Sequence, residues 1–258
     1  MLRGLKLLNA LRNAKEREHA WRAIEGYRNL PDTQCPCCGL RGRFDSFGVK
    51  FARMGANCPQ CESKERHRLL ALAIADGFAA FSEKEVLHFA AEPIVSKMIL
   101  KQQPSRYVTA DIGAPADLKL DLEQLSLPDG SFDRIICSHV LEHVDDAKAL
   151  RELHRVVRPD GYVILMIPIV EGWADTFEDR SLVTSADRET FFGQHDHVRF
   201  YGADFRTRVR SAGFELDEYT ADARSAPRFG LQRGEKVFKA TPRYLRESPM
   251  SRHRENWS

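Results

Sequence analysis

Six cysteines occur in the chain, and four of them stand in two short pairs. Cys35 and Cys38 form one C-x2-C motif, and Cys58 and Cys61 form a second motif nineteen residues further on. Two such motifs bring four thiolates into a tetrahedron, the arrangement that Zn2+ prefers. The segment has few aliphatic residues, so a metal would supply the folding free energy that its small core cannot. The spacing predicts bound zinc in a reducing, cytoplasmic compartment rather than disulfides.

The cysteine segment leaves alternatives open. Cys37 is left over, and the C-x2-C spacing favours its neighbours Cys35 and Cys38 as ligands. A redox pair or plain buried cysteines are the alternatives to metal binding. The segment resembles a zinc ribbon, whose closed four-thiolate site implies a structural role. Zinc ribbons also bind nucleic acid or protein, and this segment is locally basic through Arg41, Arg43, Lys50, Arg53, Lys64, Arg66 and Arg68.

Residues 131–169 predict one β-α-β unit. Arg134–Cys137 is a short apolar run that suits a buried strand. Asp145–Val157 has apolar residues at helical spacing, and a Pro-Asp-Gly sequence then breaks the helix before the apolar run Tyr162–Ile169. Such units build parallel sheets, in which ligands bind beyond the carboxyl ends of the strands. We therefore expect the polar residues that follow the first strand to lie at this rim: Ser138, His139, Glu142 and His143.

Three of these rim residues, His139, Glu142 and His143, also spell H-x-x-E-H. Zinc peptidases use this pattern on one face of a helix. Here His139 falls in the loop after a strand, so the helical context that the motif requires is missing. We therefore expect no peptidase site here, and a role of His143 as a general base is the less favoured alternative.

The sequence from Ser131 to Ile169, SFDRIICSHVLEHVDDAKALRELHRVVRPDGYVILMIPI, resembles part of the class I S-adenosylmethionine-dependent methyltransferases, type 11-like. It matches their fourth strand, the following helix and the fifth strand, and the resemblance extends over roughly Glu85 to Ala240. It implies an α/β fold, a Rossmann-like sheet of seven strands with helices on both faces, preceded here by a helix and a small zinc ribbon. It also implies S-adenosyl-L-methionine as the cofactor.

The resemblance assigns cofactor contacts to residues at successive strand ends. Asp111, at the end of the strand Ser105–Asp111, would accept hydrogen bonds from the ribose hydroxyls. Asp121 and the backbone of Leu122 would bind the adenine, at the end of a short strand over Asp117–Leu122. Ser138 would contribute from the fourth strand. The turn after the first strand, Glu85–Ala90, would pass under the methionine and ribose with His88, Phe89, Ala90 and Glu92.

That turn departs from the pattern of the family. His88 stands at its acidic position, and Ala90 and Glu92 stand where glycines are usual. Alanine adopts a positive φ only at a cost, whereas glycine does so freely. Glu92 could bind the ammonium of the cofactor in place of the missing acid. The alternative is that the site has lost cofactor binding.

Residues 192–202 are rich in His, Arg, Gln and Tyr. In the family, the segment before the last helix commonly faces the substrate, which makes His195, His197 and Tyr201 candidate bases or acceptor contacts. Two alternatives are a metal site at the His-x-His pair and a hydrogen-bonded structural turn. The polar stretch Glu171–Glu189 before it is typical of a lid or substrate loop.

The chain of 258 residues is long enough for one large domain with appendages. Four parts are predicted: a helix over 1–30, the zinc-ribbon-like module over 31–64, the methyltransferase domain over 65–242 and a loose tail over 243–258. Further elements are expected inside the large domain: a helix Ser63–Phe78 with Ser63 as N-cap, a helix Ala203–Ala212, and an antiparallel edge pair, Phe214–Thr220 with Lys236–Ala240. No run of 18 apolar residues exists that would span a membrane.

Together these features predict transfer of a methyl group from a sulfonium to a nucleophile. The acceptor is expected to be a small molecule or a glycan, because the net charge of +2 gives no nucleic-acid footprint and a long rim loop can enclose a small ligand. An RNA or protein acceptor bound through the zinc ribbon is the second reading. A non-catalytic, zinc-dependent binding module is the third.

Overall fold

The computed structural model describes Glu18, residues 32–48 and residues 53–243. The predicted helix over 1–30 and the tail over 243–258 fall outside this part of the chain, apart from Glu18 and residue 243. The chain divides into two compact units. The first, here called the cysteine module, contains the described residues up to Phe78 and the segment Thr220–Glu235; the rest forms the sheet unit. The predicted domain limits stay a prediction.

The elements of both units, in chain order, are as follows. They are β1 (Thr33–Gln34), β2 (Arg41–Gly42), β3 (Asp45–Phe47), β4 (Arg53–Asn57), α1 (Glu65–Ala75), β5 (Glu85–Phe89), α2 (Pro93–Leu100), β6 (Arg106–Asp111), β7 (Leu118–Lys119), β8 (Phe132–Ser138), a 3-10 turn (Leu141–His143), α3 (Asp146–Val156), β9 (Val157–Met166), β10 (Phe177–Glu178), α4 (Ser185–Phe192), β11 (Arg199–Phe200), α5 (Phe205–Ser211), β12 (Phe214–Tyr219), α6 (Ser225–Arg228) and β13 (Val237–Pro242).

The cysteine module has two small antiparallel strand pairs, β1 with β2 and β3 with β4. One cluster of its core consists of Cys35, Phe44 and Cys58, with the other cysteines of the module packed around them, and Leu69 and Leu70 of α1 are buried as well. Helix α1 begins after Lys64 instead of the predicted N-cap Ser63. The Ser63 hydroxyl is used elsewhere, because it lies 3.2 Å from Cys35 Sγ and 3.3 Å from Cys61 Sγ.

The sheet unit is built on a seven-stranded sheet of order β12-β13-β9-β8-β5-β6-β7. The five strands from β9 to β7 are parallel, and β12 and β13 run antiparallel at one edge. The Rossmann-like sheet and its antiparallel edge pair are thereby confirmed. The third predicted strand is shorter than expected, because the side chain of Asp117 accepts hydrogen bonds from the backbone and hydroxyl of Thr109, and only Leu118–Lys119 pair.

Helix α3 covers the sheet with the apolar face that its sequence predicts. Leu150 and Leu153 on this face are at most 1% exposed, and Asp145 caps the helix by accepting a hydrogen bond from the backbone of Lys148. The helix ends at Val156 and β9 starts at the next residue, so Gly161 lies within the strand and not in a turn. A Cβ at Gly161 would come within 2.5 Å of the carbonyl oxygen of Asp133, so the close approach of β8 and β9 needs glycine.

The stretch predicted as a loop over Glu171–Glu189 contains regular structure. β10 pairs antiparallel with β11, and α4 lies between them in the chain. These elements were not predicted, because a strand of two residues is too short to show an alternation of apolar and polar residues. None of the helices in the described part of the chain is long and apolar enough to cross a membrane.

Candidate active site and metal centre

The carboxyl ends of four neighbouring parallel strands form one edge of the sheet. In the order β7, β6, β5 and β8, these ends lead to Asp121, Asp111, Ala90 and Ser138. The strand order reverses between β5 and β8, since β6 follows on one side and β8 on the other. Ligands of open α/β sheets bind at such a switch point. The structure therefore brings the predicted cofactor residues to one rim.

The turn after β5 contains a left-handed backbone conformation at a residue that is not glycine. Ala90 has φ +48°, a left-handed conformation that costs a non-glycine residue roughly 1–2 kcal/mol, and its N–H donates to the carbonyl of Ala110. Glu92 has φ −84° and ψ 134°, which needs no glycine, and it precedes Pro93 at the start of α2. Phe89 is buried beneath the turn. Ala90 thus takes a conformation that glycine adopts freely, whereas the conformation of Glu92 requires no glycine.

His88, at the family's acidic position, is bonded inside the fold. Its Nδ1 lies 2.8 Å from the hydroxyl of Tyr107, which in turn donates to Ser96 Oγ at 2.8 Å. Since the Tyr107 hydrogen goes to Ser96, Nδ1 of His88 is the donor to Tyr107. Ser96 donates to the carbonyl of Glu92, so this chain of bonds holds the start of α2 against β5 and β6. A direct contact of His88 with the cofactor stays a prediction.

Asp111 and Asp121 are each fixed by the backbone that follows them. Oδ1 of Asp111 accepts hydrogen bonds of 2.7 Å from the N–H groups of Gly113 and Ala114. Both bonds use one oxygen, which leaves Oδ2 able to accept hydrogen bonds from a ligand. Oδ1 of Asp121 accepts from the N–H of Glu123 at 2.9 Å. The side chain of Leu122 is buried. The alternative that Asp111 begins a turn is thus compatible with its binding a ribose.

The end of β8 carries a second left-handed residue. Ser138 is 8% exposed, and His139 after it has φ +55°. Nδ1 of His139 lies 3.0 Å from Oε1 of Glu142, a carboxylate with no exposed surface. Oε2 of Glu142 has no hydrogen-bond partner. A buried carboxylate oxygen without a partner is costly, and such groups concentrate at functional sites.

The segment 195–201 folds back over the 3-10 turn. The N–H of Val198 donates to the carbonyl of Glu142 at 2.9 Å. The rings of His143 and His197 meet edge to face with their centroids 4.7 Å apart. Burial lowers the pKa of His197 below its usual value, so its ring is neutral at neutral pH and can accept a proton or bind a metal. The two polar segments that the sequence analysis treated separately therefore form one site.

The other two predicted catalytic residues have different surroundings. The side chain of His195 is 69% exposed and lies 4.0 Å from a carboxylate oxygen of Asp196. Tyr201 is fully buried, and its hydroxyl donates to the carbonyl of Leu141 or to Asp146, each at 3.1 Å. Burial raises the pKa of Tyr201 well above its usual value, so this hydroxyl is a poor base. Its bonds make it a structural residue, and we leave it out of the catalytic proposal.

Arg199 is a site residue that sequence reasoning missed. Its guanidinium, 8% exposed, donates to the carbonyls of Leu141 and Val144 and to the carboxylate of Glu178. It thereby ties β10 and β11 to the 3-10 turn. The aromatic and basic residues of 192–202 are the signal that could have pointed to it.

A cleft of about 590 Å³ opens beside the 3-10 turn in the sheet unit. His143 lines it together with the start of α3 and the β10–α4 segment. The remaining lining is mostly charged, with Glu123, Asp145, Asp146, Glu178, Asp179, Arg180, Arg188, Arg199 and Arg208. Such a lining favours a polar ligand over an apolar one.

The four predicted metal ligands come together in the cysteine module. Sγ of Cys35 lies 3.6 Å from that of Cys61, and Sγ of Cys38 lies 3.7 Å from that of Cys58. All four sulfurs lie within 4.8 Å of one another. A Zn–S length of about 2.3 Å gives a tetrahedron with an edge of about 3.8 Å. The donor set and its spacing therefore fit a zinc ion.

The two motifs have the same backbone geometry. The N–H of Gly39 donates to the carbonyl of Cys35, and the N–H of Glu62 donates to that of Cys58, both at 2.8 Å. Both residues are left-handed, with φ +84° at Gly39 and +58° at Glu62. Glycine takes this conformation freely, whereas glutamate takes it at a cost. The second motif is therefore the strained one.

Cys37 and Arg68 surround the four sulfurs. A hydrogen bond with Cys37 lowers the pKa of Cys35 to about 3, and the same pairing, with burial, raises the pKa of Cys37. Cys37 is not among the four cysteines whose sulfurs lie within 4.8 Å of one another, and its Sγ donates to the backbone carbonyl of His67 instead. Arg68 is fully buried and donates to the carbonyls of Ala56, Ser63, Phe229 and Gly230. It is therefore no part of the basic surface predicted for this segment.

The comparisons with known proteins concern the sheet unit. Residues 84–165 match the family model described as a methyltransferase domain. This region is therefore similar to methyltransferase domains, and the seven-stranded sheet fits their fold. The chain is also 27% identical over 122 residues to the ubiquinone/menaquinone biosynthesis C-methyltransferase UbiE of Escherichia coli, which covers 42% of the chain and 49% of that protein. The chain thus spans about half the length of the curated relatives it matches.

The chain also resembles solved structures at low identity. The 1,6-didemethyltoxoflavin-N1-methyltransferase of Burkholderia thailandensis, with bound 1,6-didemethyltoxoflavin and S-adenosylhomocysteine, is 17% identical with a TM-score of 0.48, covering 68% of the chain and 76% of that protein. An S-adenosylmethionine-dependent methyltransferase of Mesorhizobium loti is 17% identical with a TM-score of 0.49, covering 68% and 98%.

Proposed function

We propose that the protein transfers a methyl group from S-adenosyl-L-methionine to a polar acceptor. The observation that carries the proposal is the row of strand ends at the switch point, where Asp111, Asp121 and the left-handed turn at Ala90 share one rim. Two acids at successive strand ends, each with one oxygen held by backbone N–H groups, are prepared to accept hydrogen bonds from an adenosyl group. The bound sulfonium would supply an activated methyl, and the chain would align the acceptor with it.

The residues divide the work as follows. Asp111 accepts hydrogen bonds from the ribose, Asp121 and the backbone of Leu122 bind the adenine, and the 88–92 turn lies under the methionine. Glu92 is the candidate partner for its ammonium. His195 is exposed and is the candidate to take the proton that a hydroxyl or amine acceptor loses. The buried, neutral ring of His197 can take it only while no metal ion is bound to that ring.

A small polar molecule or a glycan is the favoured acceptor. The cleft beside the 3-10 turn has a volume suited to such a ligand and a charged lining. An RNA acceptor held by the cysteine module is disfavoured, because Arg68 is buried and Arg53 lies 3.5 Å from Glu65, which shrinks the basic surface. We also propose that Cys35, Cys38, Cys58 and Cys61 bind one structural zinc ion, since a closed four-thiolate site has no position for substrate.

Calorimetric titration with S-adenosylmethionine and S-adenosylhomocysteine tests the cofactor site. We expect saturable binding of both, weakened about 100-fold or more in Asp111→Ala, because two hydrogen bonds to a charged group are lost. Asp160→Ala is the matched control, since Asp160 is an exposed acid near the opposite end of β9. Absence of binding to the wild-type protein would overturn the proposal and favour a non-catalytic module.

The acceptor class needs a second experiment. Release of S-adenosylhomocysteine is followed while pools of glycans, small metabolites and RNA are offered in turn. Turnover with small polar compounds at low and high salt supports the proposed acceptor. Turnover only with RNA, falling steeply with salt, would instead assign the acceptor to the second reading.

A further inference from the structure

Three side chains outside the cysteine module form a second group with the chemistry of metal ligands. Glu142 and His143 belong to the 3-10 turn after β8, and His197 belongs to the segment that folds back over it. One potential ligand atom from each lies within 4.8 Å of the others. A carboxylate oxygen with two imidazole nitrogens is the donor set of many first-row transition-metal sites.

An independent observation shows that this group lacks a partner. Oε1 of Glu142 is bonded to His139, whereas Oε2 of the same fully buried carboxylate has none. Nδ1 of His197, a residue 8% exposed, also has no partner. Buried polar atoms are nearly always paired, so two such atoms in one cluster indicate a missing ligand.

Hydrogen bonds with neighbouring residues orient two of the three candidate metal ligands, His143 and Glu142. Nδ1 of His143 lies 3.3 Å from both the backbone carbonyl and a carboxylate oxygen of Asp196. Such a partner holds the ring with its proton on Nδ1, which leaves Nε2 as the nitrogen available to a metal. His139 does the equivalent for Glu142 by occupying Oε1. Each of these ligands therefore has one atom bound to the protein and one left over.

We propose that Glu142, His143 and His197 bind a divalent first-row transition-metal ion such as Zn2+, in a site distinct from the cysteine centre. Three protein ligands leave at least one coordination position open. The open position lies at the rim of the sheet, and His143 also lines the adjoining cleft. The proposal does not depend on methyl transfer, because it concerns binding of the ion alone.

The two sites can be separated by their ligands. The full chain is purified with zinc in the cysteine centre, treated with a mild chelator, and then titrated with Co2+ under anaerobic conditions. We expect one additional Co2+ per chain, with d–d absorption bands and no added thiolate-to-metal charge transfer. Zinc analysis without the chelator should give two ions per chain. One ion per chain, coordinated by sulfur alone, would overturn the proposal.

Variants assign the ligands. Glu142→Gln keeps the shape of the side chain, and His143→Ala changes a side chain that is 26% exposed, so neither should unfold the domain. Each should weaken Co2+ binding by more than about 100-fold, and Asp196→Ala, which removes the carboxylate contact of His143 but keeps the backbone carbonyl, by about 10-fold. His195→Ala is the control from the same segment and should bind Co2+ normally. Wild-type affinity in both Glu142→Gln and His143→Ala would refute the assignment.

Discussion

The two units of the chain are organised by opposite means. In the cysteine module, Cys35, Phe44 and Cys58 form a small buried cluster around the four sulfurs. The sheet unit has a continuous apolar core that runs from β5 through α3 to β13. The module therefore depends on what its sulfurs bind, whereas the sheet depends on the area that it buries. This difference predicts that each unit can be damaged without the other.

The largest effect is expected from loss of a cysteine ligand. Cys58→Ser should remove the zinc ion and with it a folding contribution of the order of 10 kcal/mol, because the cluster of Cys35, Phe44 and Cys58 is built around the four sulfurs. Hydrogen exchange followed by mass spectrometry should show lost protection in the described part of 32–78 and in 220–235, with β5, β8 and β9 still protected. Cys37→Ser is the matched control and should keep the zinc. Unchanged hydrogen exchange in Cys58→Ser would contradict the claim that the cysteine module depends on the metal bound by its sulfurs.

The converse damage is a cavity under the sheet. Leu153→Ala on α3 should lower the free energy of unfolding of the sheet unit by about 2–5 kcal/mol, since Leu153 is fully buried. Denaturant titration measures the loss, and the zinc content should remain that of the wild type. Arg151→Ala, an exposed position on the same helix, should change stability little. Zinc loss in Leu153→Ala would show that the two units do not respond separately.

A pH dependence is expected in the sheet unit. His154 on α3 packs against Phe214, and burial lowers the pKa of His154 below its usual value of 6.5, against a hydrogen bond with Gly213 that raises it. The unfolded chain then binds the proton more readily than the folded chain. The contribution of His154 to the free energy of unfolding is therefore fully present above pH 6.5, and it is lost as the pH falls through the folded pKa. The slope is at most about 1.4 kcal/mol per pH unit. An identical pH profile in His154→Gln would exclude this residue as the cause.

The smallest effects distinguish the two motifs of the cysteine module. Gly39→Ala should cost about 1 kcal/mol, because φ +84° is unfavourable for alanine and no neighbour would contact the new Cβ. Glu62→Gly, at φ +58°, should gain about 0.5 kcal/mol, since the relieved strain exceeds the added backbone entropy. Thermal melting of the zinc-loaded protein measures both. If both substitutions change the melting temperature in the same direction, the strain does not lie in the second motif.

The predictable features are those written in short stretches of sequence. The C-x2-C motifs encode their own geometry, and the apolar face of α3 encodes its packing, so both were read correctly. Predicting the parallel strands also predicts where their carboxyl ends lie, so Asp111 and Ser138 were expected at one rim of the sheet. The backbone conformation at Ala90 and Glu92 could not be predicted from the sequence, because it depends on the φ values that the folded chain imposes on these residues.

The features that escaped prediction depend on distant segments. Glu142 and His197 were both noted, but their meeting requires the backbone bond from Val198 to Glu142, which no local pattern encodes. Likewise, β12 and β13 pair at the edge of the sheet as predicted, but the sequence does not show which unit contains the segment between them. That segment belongs to the cysteine module, because its carbonyls receive the buried guanidinium of Arg68.

That last contact sets an order for biosynthesis. Arg68 and the carbonyls of Phe229 and Gly230 are 161 and 162 positions apart. At about 5–20 residues per second, roughly 8–32 s pass on the ribosome between the appearance of the arginine and that of its acceptors. All four cysteines are available for metal throughout this interval. Metal capture can therefore precede closure of the module, which is completed only after Gly230 has been synthesised.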